Sequence, residues 1–190
     1  MPAQPSASPA PAVIAEIIAA GSELLTPFHL DTNSLFLTGE LNRLGIACRR
    51  KQVVGDRETD LTCALREALA RADLVIITGG LGPTDDDRTR PAAAAAAGVA
   101  LATDAGLADG LRRRFAARGL PMPERNLRQA DRLVGAEILA NPNGTAPGQW
   151  LACGAAVLAL LPGPPRELRP MWAAELLPRL TTWLAARGEA

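Results

Sequence analysis

LVIITGGLGPTDDDRTR, residues 74–90, is the stretch that decides the fold class. Its first residues are apolar and largely β-branched with no polar alternation, which is typical of a strand buried on both faces of a parallel sheet. A glycine-rich turn follows at 79–82, and Thr89 to Ala97 is expected to be helical, with Pro91 tolerated in the first turn. This order predicts an α/β protein that binds its ligand at the carboxyl end of the strand.

The same alternation extends on both sides of this stretch. A strand at 12–20 precedes a helix that Asp31 or Thr32 caps and Gly45 ends, and a strand at about 46–54 precedes a helix at 59–71. Strand, helix, strand, helix, strand implies right-handed crossovers and a mostly parallel sheet covered by helices on both faces. Further elements are expected as a short strand or link at 99–102, a helix at 104–118, a polar and partly helical segment at 121–133, an edge strand at 137–140, a hairpin at 150–152 and 155–161, and a helix at 166–186 kinked at Pro178.

Size and charge limit the classes of partner. The chain has 190 residues, which suits one domain, expected at 13–190 after a disordered Pro/Ala/Ser leader at 1–12. Twenty basic and twenty acidic residues cancel, so we expect no nucleic-acid or membrane partner and a small-molecule ligand instead. No apolar run approaches the roughly 20 residues that cross a bilayer. Three separated cysteines, Cys48, Cys63 and Cys153, form no CxxC pair and are interpreted as buried thiols of a cytoplasmic protein.

The glycine-rich loop carries the strongest chemical signal. Thr78, Gly79, Gly80 and Gly82 lie where backbone amides and a helix N-terminus can bind phosphate oxygens. The acids at 85–87 that follow would repel a phosphate unless a divalent cation lies between them, so the sequence predicts a metal ion. Alternatively, these acids only cap the following helix and complement its dipole.

Other polar loops follow predicted strands, and parallel topology gathers strand ends at one edge. The first is Gly21-Ser22-Glu23, and the second is Gly55-Asp56, whose carboxylate is either a metal or substrate contact or a simple helix cap. The loops at 141–148 and 161–167 are rich in proline and glycine, and Arg166 beside them is a candidate to grip two phosphate oxygens. The run Arg112 to Arg114 is interpreted as the solvated face of a helix. We therefore expect one shared pocket.

Six motifs in this order resemble the amino-terminal domain of the CinA family (competence/damage-inducible protein A), which has the wider molybdopterin-binding MoaB/MogA fold. They are GSELL at 21–25, DTN at 31–33, VVGD at 53–56, TGGLGPT at 78–84, NPNGTAPG at 141–148 and LPGPPRE at 161–167. The resemblance covers about residues 13–180. It implies a three-layer αβα fold and a cytoplasmic homo-oligomer, a dimer or a trimer, and because the chain ends near residue 190, the deamidase domain of longer CinA proteins is expected to be absent.

The resemblance also implies an activity. With a divalent metal ion (Mg, Mn or Co), the domain would hydrolyse ADP-ribose to AMP and ribose 5-phosphate. Adenylylation of molybdopterin, as in MogA-like relatives, and nucleotide binding without turnover remain as alternatives. The expected catalytic and metal-binding residues are Asp87, Asp86 and Asp56, with Asp85 carrying the least weight among the acids. The expected substrate-binding residues are Gly21, Ser22, Glu23, Asn33, Thr78, Gly79, Gly80, Gly82, Asn143, Gly144, Thr145, Gly163, Pro164, Arg166 and Glu167.

Overall fold

A six-stranded sheet lies at the centre of the protein, whose computed structural model describes residues 13–188. The strands of this sheet are β1 (Ile14–Ala20), β2 (Ala47–Val54), β3 (Leu74–Thr78), β6 (Glu137–Leu139), β7 (Gly148–Cys153) and β8 (Ala156–Leu161). Their order across the sheet is β2-β1-β3-β8-β7-β6, and β7 runs antiparallel to both of its neighbours while the other five strands share one direction. The mostly parallel sheet, the hairpin and the edge strand predicted from the sequence are therefore confirmed.

Helices cover both faces of the sheet, as expected for three layers. Successive residues of β1 point to opposite faces, so that Ile17 and Ile18 belong to two different hydrophobic clusters. The helices are α1 (Thr32–Arg43), α2 (Glu58–Leu69), α3 (Thr89–Ala97), α4 (Ala105–Ala116), α5 (Pro165–Met171) and α6 (Leu177–Ala186). The Ile17 cluster includes residues of α1, α5 and α6, and the Ile18 cluster includes residues of α2 and α3.

Two segments differ from the expectation in detail. The polar segment before residue 133 forms a 3-10 helix, Glu124–Ala130, and then a strand, β5 (Asp131–Leu133), which pairs antiparallel with β4 (Leu101–Thr103) in a separate small sheet. The carboxyl-terminal helix is interrupted by a π-helical turn at Trp172–Leu176, directly before Pro178. Pro178 lacks an N–H and its ring would clash with the carbonyl one turn earlier, so the helix widens there before α6 begins.

The cysteine prediction is wrong. Cys63 is exposed on α2, and Cys48 and Cys153 are only half-buried. All three are free thiols. The reason is that each lies on an amphipathic element next to the buried positions rather than at one of them.

The leader predicted at 1–12 lies outside the described residues. Between residues 13 and 188, no helix combines the length and the apolar character that crossing a bilayer requires.

Strand β3 should dominate stability because it is buried along its whole length between β1 and β8. Ile76 is fully buried, so Ile76→Ala should lower the free energy of unfolding by about 2–5 kcal/mol through lost burial and a residual cavity. The matched control is Leu120→Ala, because Leu120 is 56% exposed and its loss should change stability by less than about 0.5 kcal/mol. Urea unfolding followed by circular dichroism measures both, and equal effects would contradict the assignment of the core.

Candidate functional site

The parallel pairing brings four loops together at one edge of the sheet. Thr78 at the end of β3 is opposite Ala19 of β1 on one side and Leu161 of β8 on the other, and Gly21 continues the alignment by donating its N–H to the Val54 carbonyl at 3.0 Å. A cavity of about 720 Å³ opens between these loops. This is the position that the topology predicts for a ligand.

Most of the predicted site residues line this cavity, and a few lie beside it. Ser22, Asn143, Gly144 and Arg166 are not in the lining. The predicted residues that the structure brings together around the cavity are Gly21, Glu23, Asn33, Asp56, Thr78, Gly79, Gly80, Gly82, Asp86, Asp87, Thr145, Gly163, Pro164 and Glu167.

The glycine loop is held by the first turn of α3. Gly79 and Gly80 have φ values of +91° and +63°, in the left-handed region that favours glycine. A Cβ on Gly79 would collide with the Ala20 carbonyl oxygen, and one on Gly80 would collide with Thr89 Oγ1. Thr89 fixes both residues, since its hydroxyl donates to the Gly79 carbonyl at 2.8 Å and its N–H donates to the Gly80 carbonyl at 3.2 Å.

Two amides of this loop are available to a ligand. The N–H of Gly79 donates to the Leu161 carbonyl at 3.0 Å, and the N–H of Gly82 donates to Asp87 at 2.8 Å. Within residues 13–188, the N–H groups of Gly80 and Leu81 between them have no acceptor. Adjacent amides of this kind on the wall of a cavity are donors for an anion.

Asp87 organises the loop instead of capping α3. Its Oδ1 accepts the Gly82 N–H, and its Oδ2 accepts the N–H of Thr84 at 2.8 Å and the hydroxyl of Thr84 at 2.6 Å. The residue that caps α3 is Arg88, with no side-chain bond at that end of the helix. The capping alternative for the acids is therefore wrong, because both oxygens of Asp87 turn back into the loop.

The other two acids of this run have different environments. Asp86 is exposed, lines the cavity and makes no hydrogen bond or ion pair within the described part of the chain. Asp85 is not in the cavity lining and pairs with Arg128 at 2.6 Å. Of the three carboxylates, that of Asp86 is the one free to bind a ligand.

Asp56 connects two of the loops. Its Oδ2 accepts the N–H of Ser22 at 2.8 Å, and the hydroxyl oxygen of Ser22 accepts the N–H of Asp56 at 3.1 Å. Helix α2 is capped by Arg57 without a side-chain bond, so the capping alternative for Asp56 is also wrong. This reciprocal pair ties the loop after β2 to the loop after β1.

Arg114 supports the loop at 141–148. It lies on α4, and its guanidinium donates to the carbonyls of Asn141 at 3.0 Å, Pro142 at 2.6 Å and Gly144. The interpretation of Arg112 to Arg114 as a wholly solvated face is wrong at this position, because the third arginine reaches back to the loop. One side chain thus gives three hydrogen bonds to loop residues that belong to no helix or strand.

The two proline-rich loops are joined to each other and to α1. The Asn141 amide donates to Glu167 Oε2 at 2.8 Å, and the Asn143 amide donates to the Arg166 carbonyl at 3.1 Å. Asn33 on α1 donates to the Gly163 carbonyl at 2.6 Å. Asn143 and Arg166, both outside the lining, thus hold its neighbouring residues in place.

Two residues at the site were missed by the sequence reasoning. Gln129 lines the cavity at 2% exposure and donates to Thr145 Oγ1 at 2.9 Å. Arg90 is buried beneath the glycine loop and donates to the Leu81 carbonyl at 2.8 Å. Its Nε has no partner among the described residues. A glutamine in a polar segment and an arginine inside an alanine-rich helix give no local signal of burial, since their partners are distant in sequence.

Charge is unevenly distributed around the cavity. Burial lowers the pKa of Arg90 to about 10, against the opposing effects of Asp131 and Asp87, so this arginine remains a cation at neutral pH. In the described chain, no Lys, Arg or His lines the cavity. The carboxylates that do line it are Glu23, Asp31, Asp56, Asp86, Asp87 and Glu167.

The acids fit a divalent cation only if a ligand completes its coordination. Among residues 13–188, no three His, Cys, Asp or Glu side chains lie close enough to hold a metal ion by themselves. Mg²⁺ is commonly bound by one or two carboxylates together with substrate phosphates and water. Asp86, which lines the cavity together with Asp56 and Asp87, suits that second arrangement.

Comparison with known proteins identifies the family. The profile described as "Probable molybdopterin binding domain" matches residues 16–182. The chain is 53% identical over 166 residues to a CinA-like protein of Solibacter usitatus and 50% identical over 164 residues to one of Koribacter versatilis. These alignments cover 87% and 84% of this chain but 40% of each relative, so the chain spans about two fifths of their length.

Solved structures agree with this assignment. The crystal structure of CinA from Thermoplasma acidophilum, whose function is described as unknown, is 33% identical with a TM-score of 0.80, over 86% of this chain and 95% of that one. MoaB from Thermus thermophilus, a molybdopterin biosynthesis enzyme, is 23% identical with a TM-score of 0.60, over 92% of this chain and 95% of that one, which supports the fold alone. The chain therefore belongs to the family of probable molybdopterin-binding domains and, within it, to the CinA proteins.

Proposed function

We propose that this domain hydrolyses the diphosphate bond of a nucleotide such as ADP-ribose, with water as the second reactant and AMP and ribose 5-phosphate as products. The observation that carries the proposal is that Gly80 and Leu81, whose amides are unpaired, and Asp86, whose carboxylate is unpaired, line the same cavity in the described chain. The amides suit phosphate oxygens, and the carboxylate suits a divalent cation bound to those same oxygens.

A divalent cation, bound by Asp86 together with the phosphate oxygens and water, would offset the charge of the diphosphate and lower the pKa of a water molecule beside it. The protein's own groups have separate tasks. Gly80 and Leu81 donate hydrogen bonds to the phosphate oxygens, and Asp87 fixes the conformation of the loop through its bonds to Gly82 and Thr84. Arg90 places a buried positive charge beneath the same loop, which favours an anion above it.

Pterin adenylylation is the second candidate. It is favoured by the family description, which names molybdopterin, and by the shared fold with MoaB. The same glycine loop and acids would serve nucleotidyl transfer, and specific molybdopterin binding would distinguish this reaction. Nucleotide binding without turnover is the third candidate, since no His or Cys that could serve as a nucleophile lines the cavity in residues 13–188.

Phosphate binding by the glycine loop is tested with Gly80→Ala. The new Cβ would collide with Thr89, and alanine at φ +63° is strained by about 1–2 kcal/mol. Gly98→Ala is the matched control, since Gly98 has a φ of +68° and nothing within 4 Å of a Cβ. By titration calorimetry with ADP-ribose and Mg²⁺, Gly80→Ala should lose at least about tenfold in affinity, and Gly98→Ala should bind like the wild type. Equal losses would indicate a general effect of backbone strain.

Hydrolysis is tested by chromatographic detection of AMP from ADP-ribose with Mg²⁺, Mn²⁺ or Co²⁺. Asp86→Asn should reduce the rate by about 100-fold or more, because it removes the carboxylate that is free to bind the cation. Asp87→Asn is a less clean test, since an amide cannot accept all three loop hydrogen bonds. Asp109→Asn, at an exposed acid on α4, is the control. Absence of AMP with every metal, or full activity of Asp86→Asn, would contradict the proposal.

A further inference from the structure

The charge of the residues that line the cavity does not by itself favour an anionic ligand. Six carboxylates and no basic side chain line it among the described residues. A nucleotide diphosphate is an anion, and a single divalent cation offsets only part of the total negative charge. A guanidinium that can reach the rim of the cavity would therefore improve binding, because its planar fork can hold two phosphate oxygens at once.

Three arginines lie close enough to Asp85, in the acidic part of the glycine loop, to affect its charge. The hydrogen bond and charge of Arg128 are the largest causes that lower the pKa of Asp85, and the charges of Arg88 and Arg125 add to them. Arg88 is also within 3.7 Å of Glu58 on α2. Arg128 has its closest ionic contact with Asp85, at 2.6 Å.

Arg128 is next in sequence to a residue of the cavity wall. Gln129, the next residue, is buried in the cavity wall and bonded to both Thr145 and Asn126. Asp85 is likewise followed by Asp86, which lines the cavity. Both members of the Arg128–Asp85 pair are thus one residue away from the wall that the ligand would contact.

The pair is also easily exchanged. The side chains of Arg128 and Asp85 are 52% and 81% exposed, and exposed ion pairs contribute little to stability. Within residues 13–188, the guanidinium of Arg166, by contrast, makes no hydrogen bond or ion pair, and its backbone carbonyl accepts a hydrogen bond from Asn143.

We propose that Arg128 is a phosphate-binding residue that Asp85 holds at the rim of the cavity and that transfers to the diphosphate when the ligand binds. This inference rests on the proposed diphosphate function and adds a specificity-determining residue to it. Asp85 then acts as a competitor for the guanidinium. Its removal should strengthen ligand binding, an effect opposite in sign to the loss of a structural ion pair.

Titration calorimetry with Mg²⁺ tests the exchange, using ADP-ribose, inorganic pyrophosphate and adenosine as probes. Arg128→Met should weaken binding of ADP-ribose and pyrophosphate by about tenfold, the loss expected for a charge-assisted pair of hydrogen bonds, with adenosine binding unchanged. Asp85→Asn should tighten binding of both diphosphates by about threefold. The double variant should resemble Arg128→Met. Arg112→Met and Asp109→Asn, from an exposed pair of the same type at 2.7 Å on α4, should have no effect.

Each contrary outcome identifies what fails. Unchanged or weaker diphosphate binding by Asp85→Asn overturns the competition, and equal weakening of all three probes by Arg128→Met overturns the phosphate contact. If the wild type binds pyrophosphate but not ADP-ribose and the variants differ as described, the proposed nucleotide is wrong and the role of Arg128 stands. If the wild type binds neither diphosphate, both proposals are overturned.

Discussion

The register of β3 between β1 and β8 is the constraint on which the site depends. Thr78 is level with both Ala19 and Leu161, so the three strands end side by side at the same edge of the sheet. Gly79 then donates to the Leu161 carbonyl, and a Cβ on Gly163 would lie 3.4 Å from the Gly79 Cα. A shift of one residue in either ladder would reverse the faces of the strand and separate the loops.

The carboxylate of Asp87 fixes the conformation of the glycine loop at this edge of the sheet. Asp87 accepts three hydrogen bonds from residues 82 and 84, so these three donors are satisfied within the loop itself. The amides of Gly80 and Leu81 remain among the unpaired donors of the residues that line the cavity in the described chain. Their preorganisation means that binding an anion requires little rearrangement of the backbone.

The acidic lining has a physical consequence for the choice of ligand. Free anions are disfavoured by the carboxylates, while a cation–diphosphate complex brings its own charge compensation. The buried Arg90 adds a fixed positive charge on the opposite side of the loop. Under the proposed function, we expect a cavity of this composition to favour ligands that bind together with a divalent cation.

The sequence predicts best what depends on local pattern. The bounds of β3 and α3 agree with the structure, because an unbroken apolar run and a glycine turn are local signals. The shared cavity was also predictable, since it follows from strand order. Arg114 and Arg128 were not, because their partners at the site lie 27 to 43 residues away and depend on how α4 and the segment after it fold back over the edge.

The same limit explains why the capping alternative for two of the acids is wrong. Asp56 and Asp87 both precede helices, where a cap is the local expectation, but tertiary contacts engage them elsewhere. Asp56 bonds to a residue 34 positions earlier. Asp87 closes its own loop through a turn that periodicity does not reveal.

The central claim is that the unpaired amides of Gly80 and Leu81 bind the phosphates of a nucleotide. The most direct measurement is a ¹⁵N–¹H NMR titration of the labelled protein with ADP-ribose in the presence of Mg²⁺. The account predicts that the largest shifts fall on the amides of Gly80 and Leu81, moving downfield as they gain charged acceptors. Saturable binding with these two resonances unchanged would contradict it.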